Sequence, residues 1–351
     1  MKAVEPPIWQ NNTKCPFQIA SCGGRVKGFL CHSARKTTGT GGKKRLIFVP
    51  GGGKCNLVSG MTGLISENRN GRNIFQQRRQ TGIMTTAKKR FGLKLWSKDF
   101  IKNKEFARSA EAALKDGKFD YLELFALPDT FEETQAAVKA AFGGVLTVIH
   151  APHAIQKLDI SNPEEFENNR QRLMSSQQFA DMLGAEMIIL HPGLWRGEKY
   201  LEESMRQFKA FGDARLTVEN LPGYCSQTKR ELHGITPDEI RRFIRETGAK
   251  FCLDFSHAIC GANTYNRDIY EVLSEFAALK PAMYHLCDSD VASTCDDHRH
   301  YGEGNYDLRR LVMEFTADNA LITMETGHGI PTDVRPWLDD IAYLRSLLQS
   351  E

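Results

Sequence analysis

From Phe91 onward, short apolar runs alternate with longer amphipathic stretches along the chain. Eight of the runs, at residues 92–96, 121–125, 146–150, 187–190, 216–219, 251–254, 283–286 and 321–325, are too short for helices and rich in β-forming residues, so they read as strands. Between them, residues 105–118, 130–142, 162–183, 237–247, 268–279, 308–316 and 334–348 carry apolar positions at helical spacing. Residues 203–208 offer a weaker helix in the fourth connection. Strands that alternate with helices predict βα units and a parallel sheet. Eight units in about 260 residues fit a (β/α)8 TIM barrel better than an open doubly wound sheet, which would need fewer strands or a second domain. Phe166, Met174 and Phe179 are expected to pack a helix onto that barrel.

The first 83 residues break the pattern. They hold 14 Lys and Arg against two acidic residues, which leaves 32 basic and 41 acidic residues for the remainder of the 351-residue chain. They are Gly-rich, and no helical or alternating period persists in them. Low hydrophobicity with high net charge predicts a disordered basic extension over 1–83 and a barrel domain over 84–351. Such a segment suits a nucleic-acid arm or an organellar address. Met84 also reads as a natural start, which would make the extension an over-extended reading frame. The run at Gly39–Lys44 lacks the strand and helix that a phosphate loop needs.

Hydrophobic residues make up 41% of the chain and charged residues 25%, which excludes a wholly disordered or fibrous protein. The mean hydropathy is -0.41, and no apolar run approaches the roughly 18 residues of a spanning helix. Residues 1–7 do not resemble a secretory signal, so the expectation is a soluble cytoplasmic protein with no membrane association and no obligate protein partner. Nine cysteines, an odd number without a close CxxC pair, point to reduced thiols. Cys15, Cys22, Cys31 and Cys55 are too irregularly spaced to argue for a zinc site.

Polar residues at the C-terminal ends of barrel strands line the active-site face. Here those ends, or the loops just after them, carry His150, His191, Glu219, Asp254 with His257, His285 followed by Asp296 and His298, and Glu325. Four carboxylates on one rim would repel one another unless cations bind between them. The mixed imidazole and carboxylate donors suit Zn2+, with Mn2+ as an alternative, better than Ca2+. Three divalent ions would leave the site positive and attractive to a phosphate. Cys287 and Cys295 also lie near this rim, and Arg299 beside it is a candidate phosphate contact.

Over about residues 90–350 the chain resembles the endonuclease IV family (family 2 apurinic/apyrimidinic endonucleases) of the xylose-isomerase-like barrels. The motifs that carry the resemblance are His191-Pro-Gly193, Glu219-Asn220 with Gly223 following, Asp254-Phe-Ser-His257-Ala258, His285-Leu-Cys-Asp288, Asp296-Asp-His298 leading into Gly302-Glu-Gly-Asn305, and Glu325-Thr326. The resemblance implies up to three Zn2+ ions: one on His150, His191 and Glu219, a second on Glu219, Asp254, His285 and Glu325, and a third on His257, Asp296 and His298. It implies hydrolysis of a phosphodiester, by default in abasic duplex DNA during base excision repair, with Glu219 bridging two metals and Glu325 orienting the nucleophile.

The chain departs from the family where the family reads its substrate. Lys94 stands in the usual His place of the first strand, 125–130 lacks the Asn- and Arg-bearing loop, and Asp297 replaces the Arg of the usual Asp-Arg-His. His153 stands where a Tyr is common, as a weak candidate substrate contact. An alternative is a sugar isomerase or epimerase of the same superfamily, with a single ion on Glu219, Asp254, His285 and Glu325. Tyr121-Leu-Glu-Leu-Phe125 and Gly302-Glu-Gly304 suit it equally well. His257, Asp296 and His298 discriminate, because a mononuclear isomerase has no need of them. A degenerate binding barrel is disfavoured because every ligand position is filled.

Overall fold

Alternation along the strands sets the architecture. The structure, a computed structural model, describes residues 88–225, 230–327 and 332–349. The expected extension, its four cysteines and the Met84 start lie outside the described residues. Eight strands close into a parallel barrel: β1 (Arg90–Trp96), β2 (Tyr121–Phe125), β3 (Thr147–His150), β4 (Ile188–Leu190), β5 (Leu216–Glu219), β6 (Lys250–Asp254), β7 (Met283–Leu286) and β8 (Leu321–Met324). Each pairs with the next, and β8 closes on β1 with Leu93 opposite Met324. The eight predicted strands are the eight barrel strands.

Successive side chains on a strand point to opposite faces. Leu93, Leu95, Leu122, Leu124, Ile149, Val218, Leu253 and Leu286 face outward into the main core shared with the helices. The inward positions form a smaller apolar layer of Tyr121, Val148, Met187, Ile189, Cys252, Met283 and Leu321. Two residues further along those strands the inward positions turn polar: Glu123, His150, His191, Asp254, His285 and Thr323. The barrel is therefore plugged by hydrocarbon at one end and lined with ionisable groups at the other, where the strands end.

Tyr121 fills the plug only because β1 has a glycine beside it. A Cβ on Gly92 would lie 2.3 Å from the Tyr121 ring, which is held across the barrel by a 2.7 Å hydroxyl contact with Thr323. Gly92→Ala is expected to destabilise the barrel by at least about 1–3 kcal/mol through overpacking, read as a lower urea midpoint at unchanged slope.

Among the helices, Pro237–Thr247 matches its predicted bounds, and Lys104–Lys115, Phe131–Phe142, Phe166–Leu183, Ile269–Ala277, Leu308–Phe315 and Arg335–Gln349 lie within a few residues of theirs. The fourth connection holds a full helix, Glu198–Ala210, longer than expected. Its buried face includes Ser204 and Gln207, and Gln207 accepts a 2.9 Å hydrogen bond from Asn169, so polar residues interrupt the apolar stripe. Phe255–Thr264 has no counterpart among the predicted helices, because residues 255–262 are all buried and leave no amphipathic period to read. Within Phe166–Leu183, Phe179 is buried against Phe131 and Phe166 stacks on Phe211. Met174, expected to pack, is 50% exposed because it falls on the outer side of that helix.

Candidate metal centre

Each site residue owes its place to a strand end or to the turn that follows it. His150, Glu219 and Asp254 are the last residues of β3, β5 and β6, and His191 and Glu325 directly follow β4 and β8. Asp254 also caps the helix that begins at Phe255: its Oδ1 accepts the His257 amide at 2.7 Å, which brings His257 back over the barrel mouth. The long β7 loop is folded by Asp288, whose carboxylate accepts the amides of Ser289, Gly302, Gly304 and Tyr306 at 2.8–3.1 Å. Asp288 and Arg299 also exchange backbone hydrogen bonds. That closed loop presents Asp296 and His298 at the rim. His298 sits in left-handed backbone (φ 48°) and is held by its Nδ1, 2.7 Å from the Glu325 carbonyl.

The nine predicted donors form one connected network. Glu219 lies at its centre, with Oε2 3.2 Å from His150 Nε2 and 3.1 Å from His191 Nε2, and Oε1 2.9 Å from His285 Nδ1. His285 Nδ1 also lies 3.1 Å from Glu325 Oε1 and 3.8 Å from Asp254 Oδ2. At the outer edge, Asp296 Oδ2 lies 3.2 Å from His257 Nε2 and 2.6 Å from His298 Nε2.

The groups around the barrel mouth hold their charges mutually. Burial pushes the Asp254 carboxyl up to about 7; His257 opposes this, and the charges of Asp296, Glu325 and Glu219 add to it. Burial alone would lower His257, but Asp254 and Asp296 raise it to about 10; likewise Asp296 raises His298 to about 9. Glu219 stays well below the usual carboxylate range despite burial, because His285 and His191 face it. Protonated imidazoles thus occupy the electrostatic role a cation would take among these carboxylates.

The donor set fits divalent ions. His150, His191 and Glu219 place their ligand atoms within 4.8 Å of one another, as do Glu219, Asp254, His285 and Glu325. The third group of that size is Cys287, Asp296 and His298, with Cys287 where His257 was expected; His257 Nε2 meets this group at Asp296 Oδ2, 3.2 Å away. Burial pushes the Cys287 thiol up, so it enters as a neutral neighbour of those two.

Two residues absent from the predicted donor set complete the centre: Lys94, noted in sequence as a departure from the family pattern, and Glu123, noted there only within Tyr121-Leu-Glu-Leu-Phe125. Glu123, on β2, is fully buried; its Oε2 is 3.0 Å from His285 Nε2 and accepts the Thr323 hydroxyl at 2.7 Å. Lys94, on β1, places its ammonium 2.9 Å from Glu123 Oε1 and also pairs with Glu325. Burial would lower Lys94, yet Glu123 and Glu325 raise it, so it stays charged. A lone charge in an otherwise apolar strand was the one mark of Glu123 in the sequence, and only the strand register shows that it faces inward. The candidate substrate contacts are placed differently. Arg299 is tied to Asp297 at 2.9 Å, and His153 stacks on His191 with ring centroids 4.9 Å apart. Burial, then His191 and His150, push His153 well below its ordinary value, so its ring is neutral.

A family model described as Xylose isomerase-like TIM barrel matches residues 111–347. The chain belongs to this family. Among curated relatives of this xylose isomerase-like barrel, Endonuclease 4 of Thermus thermophilus is 26% identical over 225 residues, covering 59% of this chain and 81% of that protein. Probable endonuclease 4 of Mycobacterium leprae is 26% identical over 206 residues, covering 56% of this chain and 77% of its own. Among solved structures, an endonuclease IV from Thermus thermophilus superposes with a TM-score of 0.54 at 24% identity, over 74% of this chain and 99% of that one. A D-tagatose 3-epimerase-like protein superposes with a TM-score of 0.55 at 18% identity, over 74% and 97%. Both superpositions speak to the fold alone. No helix among the described residues is long and apolar enough to cross a membrane.

Proposed function

We propose that this chain is a metal-dependent phosphodiester hydrolase of the endonuclease IV type, with abasic-site DNA as its default substrate and Zn2+ as its metal. The observation that carries the reading is the outer group: Asp296 Oδ2 between His257 Nε2 and His298 Nε2, at 3.2 and 2.6 Å, next to a four-donor set that is already complete without it. A mononuclear isomerase has no use for a further acidic and imidazole cluster on the same rim. The curated relatives named endonuclease 4 support the same reading.

His150, His191 and Glu219 would hold one ion, Glu219, Asp254, His285 and Glu325 a second, and His257, Asp296 and His298 a third. When bound, such ions make a water nucleophilic near neutral pH and neutralise a phosphate. Glu219 would be shared by the first two ions, and Glu325, paired with Lys94, would orient the nucleophile. In the metal-loaded protein Glu123 would fix the tautomer of His285, accepting Nε2–H and leaving Nδ1, which faces the site, free to ligate.

Metal uptake by the outer group is expected to release protons. His257 near 10 and His298 near 9 carry protons at neutral pH in the metal-free protein and must lose them to ligate. Affinity should therefore rise with pH up to about 9 to 10, where the two imidazoles give up their protons in the metal-free protein. Calorimetric titrations in buffers of different ionisation enthalpy would show the proton release; a heat independent of buffer would contradict it.

A second reading, a sugar isomerase or epimerase with a single ion on Glu219, Asp254, His285 and Glu325, is favoured by one feature. The Lys94 ammonium already neutralises part of the Glu123 and Glu325 charge, so fewer cations are needed on that side. Elemental analysis of the purified protein, coupled to a nicking assay on abasic duplex DNA, separates the two. Close to three zinc ions with nicking supports the hydrolase; close to one exchangeable ion without nicking supports the isomerase.

A further inference from the structure

The loops after β4 and β5 build a second feature against the metal centre. The β5 loop runs out through Tyr224–Cys225 and returns through Arg230–Glu231, pairing as a short antiparallel ribbon. That ribbon is sewn to the loop after His191: the Trp195 amide donates to the Glu231 carbonyl at 2.8 Å and the His233 amide to the Gly193 carbonyl at 3.0 Å. Leu194, Leu221 and Leu232 form a small buried cluster that joins the two loops. At Gly234, in left-handed backbone (φ +82°), a Cβ would stand 2.8 Å from the Pro192 ring and 3.4 Å from the Glu219 carbonyl oxygen. The base of the ribbon therefore rests directly on the backbone that carries His191 and Glu219.

Ribbon and loop together bound an open cleft of about 580 Å³ lined by Trp195, Arg196, Tyr200, Tyr224, Arg230 and Glu231. Trp195 is 43% exposed, an unusual state for so large an apolar ring. Arg196 is anchored by Asp159 at 2.8 Å and lies 5.8 Å from the centre of the Tyr200 ring, and the Lys199 ammonium stands 5.0 Å from the same ring. Arg230 is exposed.

Rings and guanidinium groups in one cleft match a ligand with both a flat π-face and an anion. A bare phosphate has no use for the rings; a neutral sugar can stack and hydrogen-bond there but gains nothing from the excess of Arg196, Lys199 and Arg230 over Asp159 and Glu231. A nucleotide uses both, with its base stacked on an aromatic side chain and its phosphate against arginine. We propose that the cleft between Trp195 and Arg230 is a nucleotide subsite, which takes an unstacked nucleotide of the strand whose phosphodiester is presented to the neighbouring metal centre. This inference rests on the hydrolase reading and names where its substrate is gripped.

The test is an anisotropy titration of the metal-loaded full chain with a short fluorescein-labelled DNA strand across a range of salt concentrations. Nicking of an abasic duplex is measured alongside. Trp195→Ala should weaken binding about tenfold or more, and Trp195→Phe, which keeps a ring, should restore most of it. Arg230→Ala should reduce the slope of log affinity against log salt by about 0.7, the contribution of one phosphate contact to a single strand. Unchanged metal content in all three variants shows that the centre beside the cleft is intact. If the wild-type protein nicks the duplex while the variants keep its affinity and salt slope, the subsite is overturned and the hydrolase stands. If the wild-type protein neither binds the strand nor nicks the duplex, both fall together.

Discussion

Replacing Asp296 and His298 together by alanine is expected to abolish phosphodiester cleavage while leaving the barrel folded. Both side chains stand at the rim, on a loop whose shape is set by Asp288 and its four amide hydrogen bonds rather than by the two residues themselves. Their removal leaves His150, His191, Glu219, Asp254, His285 and Glu325 in place, so two of the three proposed ions should remain. The loss of an ion that stabilises charge on the transferring phosphate is worth several kcal/mol, or about a thousandfold or more in rate. Metal analysis and nicking rates on the same preparation check the result. Full activity in the double variant would remove the basis for a third ion, and with it the strongest argument against a mononuclear isomerase.

The second large effect is expected at Glu123. This carboxylate is fully buried, and His285 and Lys94 hold it well below the usual carboxylate range even though burial pushes the other way. Glu123→Ala would leave the buried Lys94 ammonium with Glu325 as its one remaining carboxylate partner among the described residues, and leave His285 Nε2 and the Thr323 hydroxyl without their acceptor. Breaking a buried ion pair from one side costs about 3–5 kcal/mol. In a barrel of this size that corresponds to a fall in Tm of roughly 10 °C. Glu123→Gln keeps the shape and an acceptor oxygen but removes the charge. It should change Tm much less, yet lower zinc affinity about 10- to 100-fold, the usual effect of losing the carboxylate behind a metal-ligating histidine. Competition with a chromophoric chelator measures that affinity, and equal affinities in wild type and Glu123→Gln would show that Glu123 is a structural counterion only.

Much of this arrangement is legible along the chain, for a specific reason. In a (β/α)8 barrel the strand periodicity and the site share one direction: the residue that ends a strand is also the residue that faces the centre. His150, Glu219 and Asp254 could be picked from sequence because each is the first ionisable residue after a β-rich apolar run. Glu123 escaped that reading because it sits in mid-strand, where a lone charge in Tyr121–Phe125 carries no positional meaning until the alternation is registered against the neighbouring strands. The helix Phe255–Thr264 escaped it because burial on all sides erases the amphipathic period. Met174 misled because helical spacing identifies a stripe but not which of its edges reaches solvent.

The sequence by itself determined the number and order of the βα units and marked nine candidate donors at the strand ends or in the loops that follow them. Both are local properties, carried by runs of a few residues and by the residue that follows them. Only the tertiary structure decided the partnerships: Glu123 behind His285, Lys94 between Glu123 and Glu325, Cys287 beside Asp296 and His298, and Trp195 and Arg230 facing one cleft. Those pairs join residues from different strands and loops. Their contacts depend on barrel closure and strand register, which bring together groups as far apart along the chain as Lys94 and Glu325.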